Sequence, residues 1–147
     1  MFERDATILD AEKIAVIHRA AREKAMPWLP VLHSKEQDFH YFANTVIPNQ
    51  AVRVICTKDD ITGFAAYEDG WLHHLYVHPD RWRCGVGLKL LTSAKRYNAV
   101  VQLWTFQRNS SARAFYSFAG FKEAELTNGE GNEEKTPDVR LFWKREN

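Results

Sequence analysis

The stretch from Ala51 to Gly87 constrains the fold more than any other. Ala51 to Thr57 is apolar and β-branched, Asp59-Asp60 interrupts it, Ile61 to Tyr67 is a second such run, and Asp69-Gly70 turns into a third, Trp71 to Val77. Turns that short join antiparallel neighbours, so a three-stranded meander is predicted. The third strand leads through Pro79 into Gly85-Val86-Gly87, after which Leu88, Leu90, Leu91 and Ala94 follow helical spacing. A helix opened by glycines leaves its first N–H groups free to approach an anion, and its dipole favours negative charge there.

The flanking segments complete a layered domain. Met1 to Arg4 reads as a short strand, and Asp10 to Ala25 as a helix carrying Ile14, Ile17, Ala21 and Ala25, stopped by Pro27 and Pro30. Ser34 and Gln37 form a capping box for a second helix whose stripe is Phe39, Phe42 and Val46, ending at Pro48. Later come a strand from Ala99 to Phe106, a helix from Ser110 to Ala119 closed by Gly120 with Phe115 and Phe118 as core residues, and strands from Phe121 to Leu126 and Val139 to Lys144. No linker or repeat divides residues 1–147, so a single domain is expected. Its class is α+β: a mixed, mainly antiparallel central sheet of about seven strands with helices on both faces.

Composition excludes several partners. No apolar run approaches the ~18 residues of a membrane span, and 20 Lys plus Arg against 19 Asp plus Glu gives a net charge of +1, without the excess a nucleic-acid binder needs. The opening Met-Phe-Glu-Arg-Asp lacks a secretory apolar stretch, and Cys56 and Cys84 make no disulfide framework, so a cytoplasmic location is expected. His73, His74 and His78 lack ligand spacing, and no metal is expected. The charge is unevenly spread: Arg81, Arg83, Lys89, Lys95 and Arg96 face no acid between residues 81 and 96, whereas Glu123, Glu125, Glu130, Glu133, Glu134 and Asp138 meet only Lys135 between 123 and 138. The first run should favour one small anion at the glycine loop, and the second should attract a cationic partner.

The glycine loop fits neither common phosphate motif, since Leu88-Lys89 follows Gly87 where a P-loop needs Lys-Ser or Lys-Thr, and Leu90 replaces the third glycine of a dinucleotide fingerprint. A second segment, Asn109-Ser110-Ser111-Ala112-Arg113-Ala114-Phe115-Tyr116-Ser117-Phe118-Ala119-Gly120-Phe121, follows its own strand directly. Leu75-Tyr76-Val77-His78-Pro79 with Gly85-Val86-Gly87, taken together with Asn-x-x-Ala-x-x-Phe-Tyr-x-x-x-Gly-Phe, resembles the GNAT superfamily of acetyl-CoA-dependent N-acetyltransferases, and the order of elements agrees over nearly the whole chain. Trp82 stands where that family carries Gln or Arg.

The resemblance implies an acetyl-CoA co-substrate and a primary amine acceptor, small molecule or peptide, that attacks the thioester directly in a ternary complex. It implies a pyrophosphate loop of Arg83, Cys84, Gly85, Val86, Gly87 and Leu88, with Cys84 a spacer and not a nucleophile. It implies a cofactor strand of Leu75, Tyr76 and Val77, where Leu75 and Val77 offer unpaired backbone groups to the pantetheine amides, and a helix face of Asn109, Ala112 and Tyr116. Tyr116 is expected to protonate the departing thiolate. His73, placed by period two on the face of Trp71, Leu75 and Val77, is expected to be the base, directly or through water, with His74 on the other face unless the strand bulges. Met26-Pro27-Trp28-Leu29-Pro30 reads as a wall of the acceptor site. The alternative is a non-catalytic acyl-CoA-binding module with a degenerate site. A homodimer through the late strands is compatible with the sequence.

Overall fold

The computed structural model describes residues 1–58 and 60–146; Asp59, assigned to a turn by the sequence, lies outside them. Strands β1 (Phe2–Asp5), β2 (Ala51–Thr57), β3 (Asp60–Glu68), β4 (Trp71–Val77), β5 (Val100–Phe106), β6 (Lys122–Leu126) and β7 (Asp138–Lys144) form one sheet in the order β1-β2-β3-β4-β5-β7-β6. Every pairing is antiparallel except β4 with β5.

Helices cover both faces. On one lie α1 (Ala11–Ala25), α2 (Lys35–Tyr41), a wide π-helical turn (Phe42–Val46) and α3 (Ile47–Asn49); Ile14, Ile17, Phe42 and Val46 pack there on Val54, Phe64 and Ala66. On the other lie α4 (Val86–Tyr97) and α5 (Ser110–Phe118), where Val86, Leu90, Leu91 and Tyr116 pack on Leu72, Val101, Leu103 and Leu141. Ser34 accepts the Gln37 N–H while the Gln37 amide oxygen accepts the Ser34 N–H, closing the capping box that starts α2.

Two aromatic residues depart from the sequence expectation. The buried stripe of the second helix is Asp38, Phe42 and Val46, at a spacing of four, because Asp38 pairs with Arg19 of α1; Phe39, about 100° round the helix, is 37% exposed. Phe118 is 86% exposed, not core, since α5 buries the side carrying Ala112, Phe115 and Tyr116 and ends at Phe118.

Candidate active site

The parallel pair β4 and β5 holds register only at Trp71–Gln102 among the described residues, with the Gln102 N–H donated to the Gly70 carbonyl at 2.8 Å. Beyond that point the strands part. Backbone direction settles which groups line the gap: the His78 N–H is donated to Thr62 of β3 at 2.8 Å, so by alternation Tyr76 also turns its backbone to β3. Leu75 and Val77 turn theirs to the open side. Of the expected cofactor strand, the structure therefore brings Leu75 and Val77 together at the gap. Tyr76 instead sends its ring to the α1 face, 4.9 Å from the His18 ring.

The same strand carries a bulge that changes which side chains share a face. Pairing passes from Ala66↔His74 to Tyr67↔Leu72, leaving His73 without a partner. Leu72 packs on the α4/α5 core, and beyond the bulge so do Leu75 and Val77. Strict alternation from Trp71 through His73 to Val77 is thus broken. His73 lies 3.5 Å from the Glu68 carboxylate, with both side chains well exposed. His74 packs at 5.3 Å from the Phe42 ring and shares a 3.1 Å hydrogen bond between its Nε2 and the Tyr41 hydroxyl. The Nδ1 atoms of His74 and His18 are buried with no partner among the described residues. Burial, aided for His18 by the Arg22 charge and for His74 by His73, pulls their pKa values to about 2 and about 3.

Past β4 the chain turns through a short 3₁₀ segment, Pro79–Arg81, into the glycine loop. Gly85 caps α4 with φ of 82°, a left-handed conformation natural to glycine, and Arg83 adopts φ of 65°. The first backbone bond of α4 runs from the Lys89 N–H to Gly85, so Val86, Gly87 and Leu88 keep free N–H groups at the helix start. Cys84 is exposed, its thiol 3.6 Å from the Trp82 carbonyl oxygen. Trp82 donates its indole Nε1–H to the Val77 carbonyl at 2.7 Å. One cation of the basic run is engaged elsewhere: the Lys95 ammonium is donated to the Ala119 carbonyl at 2.6 Å and sits 4.9 Å over the Trp143 ring.

Asn109 is the N-cap of α5, its side-chain oxygen accepting the Ala112 N–H at 3.2 Å. Tyr116 is 8% exposed, held edge-on between Phe115 and Phe121 at 5.1 and 5.3 Å, and its hydroxyl has no hydrogen-bond partner among the described residues. Burial, together with the nearby Tyr76 phenol, raises its pKa, keeping it protonated.

On the α1 face a cavity of about 280 Å³ is bounded by Met26, Pro27, Leu29 and Pro30, by His18 and Arg22 of α1, and by Glu134. Trp28 does not line it; it meets Phe106 edge-on at 6.3 Å and lies under the Arg108 guanidinium at 4.8 Å. Glu134 roofs it from the acidic segment between β6 and β7. Glu134 accepts from the Arg22 guanidinium at 3.2 Å, and Glu133 pairs with His33. The segment is tied together internally: the Asn132 amide donates to the Thr136 carbonyl at 2.7 Å, and Gly129, at φ of 88°, lies so close to Thr136 that a Cβ would fall 2.3 Å from its backbone. Nothing in the sequence marks Arg22 and Glu134 as partners, because they are 112 positions apart. Among the described residues no cluster of three or more His, Cys, Asp or Glu could hold a metal ion, and no helix is long and apolar enough to cross a membrane.

The site thus combines a parted strand pair, a helix N-terminus beside it, and a phenol with no hydrogen-bond partner among the described residues. Residues 46–123 match the model of the acetyltransferase (GNAT) domain, and the chain belongs to that family. An uncharacterized N-acetyltransferase of Methanocaldococcus jannaschii is 32% identical over 81 residues, 52% of this chain and 36% of that protein, so the match spans about a third of the relative's length. Among solved structures, apo YjaB from Escherichia coli superposes with a TM-score of 0.81 at 20% identity, covering 97% of this chain and 96% of that one. The PaiA N-acetyltransferase of Thermoplasma acidophilum, solved in complex with coenzyme A, gives 0.76 at 16% identity, covering 98% of each chain.

Proposed function

We propose that this chain is an N-acetyltransferase that takes its acetyl group from acetyl-CoA and passes it to a primary amine by direct attack. The observation that carries this reading is the parting of β4 from β5 beyond Trp71–Gln102, which leaves Leu75 and Val77 facing a gap. A pantetheine arm has two amides and adds to such an edge as an extra strand does. The free N–H groups of Val86, Gly87 and Leu88 lie at the end of the same strand and suit a pyrophosphate, with Arg83 adding charge. The coenzyme A held by the Thermoplasma PaiA fold is consistent with this donor.

In this reading Tyr116 gives its proton to the departing thiolate; its burial keeps that proton in place until the thiolate forms. The amine enters from the α1 face through the cavity under Glu134, whose volume suits a small amine or a single side chain. His73 takes the ammonium proton through water: it is exposed at the bulge, and the Glu68 carboxylate faces the imidazolium that results. His74 cannot serve, because a group pulled to about 3 does not hold a proton near neutrality. Asn109 and Ala112 start the helix that aims Tyr116, and the domain acts as one unit over residues 1–147.

The test is thiol release from acetyl-CoA across an amine library of small amines, amino acids and peptides. Turnover with at least one class is expected; tight CoA binding with no turnover on any class would leave the non-catalytic binding module as the reading.

A further inference from the structure

We propose that Trp82 is a built-in stand-in for the acyl carrier: its indole N–H occupies the Val77 carbonyl that a pantetheine amide would take, and lets go when the carrier arrives. This rests on the acyl-CoA reading above. Val77 presents its backbone to the gap, and its carbonyl is engaged by the indole at 2.7 Å. A carbonyl has a second lone pair, but an added chain approaches in the plane of the sheet, where its N–H must meet the oxygen on the open edge. The indole reaches that oxygen from the loop immediately after β4, and in this proposal it takes the place on the open edge that the amide needs.

Trp82 is also held lightly. The residue is 38% exposed and belongs to neither buried cluster, and the bond to Val77 is the one hydrogen bond its side chain makes among the described residues. Such a side chain satisfies a strand-end carbonyl in the empty enzyme and can leave without disturbing the core. The carrier then binds against an internal competitor, and affinity for pantetheine-bearing ligands is lowered while affinity for the nucleotide part is not.

The experiment compares the wild-type chain with Trp82→Phe, which keeps a ring and removes the donor. A net hydrogen bond no longer displaced predicts about fivefold tighter CoA binding by titration calorimetry. Adenosine 3′,5′-bisphosphate, which lacks the pantetheine arm, should bind both proteins equally. CoA affinity that is unchanged or weaker in the variant, or a gain of equal size for both ligands, overturns the proposal. A second readout needs no variant. The Trp82 indole N–H resonance should lose its exchange protection on adding CoA and keep it with adenosine 3′,5′-bisphosphate; protection that survives CoA saturation also overturns it. A wild-type chain that binds no CoA at all fails the acyl-CoA reading itself, a result distinct from CoA binding with an undisturbed indole.

Discussion

Arg22 and Glu134 meet 3.2 Å apart across the cavity on the α1 face, tying a helix near the start of the chain to the loop between its last two strands. Both side chains are largely shielded, at 25% and 17% exposure, whereas the neighbouring pair His33 and Glu133 is half open to solvent. Within the acidic run, Glu134 is thus taken up by Arg22, while Glu133 stays half open to solvent beside His33. Glu134→Gln should lower stability by about 1–3 kcal/mol, because it strands a shielded guanidinium, and should raise KM for the amine as the roof loosens. Glu133→Gln should cost under about 1 kcal/mol, as exposed pairs do. Chemical denaturation of both variants checks this, and equal costs would count against the account.

Tyr116→Phe removes a hydroxyl that makes no hydrogen bond within the described protein. Stability should hardly change. If the phenol is the acid, kcat should fall about 100-fold or more while KM for acetyl-CoA stays put. Steady-state kinetics on the two proteins decide it, and an unchanged kcat removes Tyr116 from the chemistry.

Stability should fall with acid in a defined window. His18 and His74 are pulled down to about 2 and about 3 by burial, from 6.5. Between those values and 6.5 the unfolded chain binds protons that the folded chain refuses. The contribution is complete above pH 6.5 and is lost as pH falls toward the folded values, at up to about 1.4 kcal/mol per pH unit for each histidine. Unfolding midpoints from pH 7 to pH 4 measure the slope, and His18→Gln should flatten it; the same slope in the variant would exclude His18 as its source.

Gly85→Ala isolates backbone strain. A Cβ there meets nothing within 4 Å, so the whole penalty comes from φ of 82°. A loss of about 1 kcal/mol in stability is expected, with weaker CoA binding if the loop tilts the free N–H groups of α4. Thermal unfolding and a CoA titration read the two effects separately.

The strands, the helices and the glycine loop were legible because each rests on local signals: alternation from Ala51 to Val77, the Ser34 and Gln37 box, glycine at 85. What escaped the sequence depends on contacts that residue identity does not encode. The bulge at His73 leaves no mark in the letters, yet it changes which neighbours share a face. Apolar spacing puts Phe39 in a stripe that Asp38 takes, since the Arg19 that Asp38 pairs with is on another helix. Lys95 belongs to the basic run by sequence, yet it caps the end of α5. The partner of the Trp82 indole could be found only once the course of the loop after β4 was known.

The parting of β4 and β5 also bears on solubility. It creates a sheet edge in the interior of a sheet, and open edges invite pairing with other molecules. Here the exposure is limited by its own shape: the gap is a wedge shut at Trp71–Gln102, and the Trp82 indole blunts its far end at Val77. A stray strand from another chain finds no long run of free backbone to template on, so the parted pair is a poor seed for aggregation.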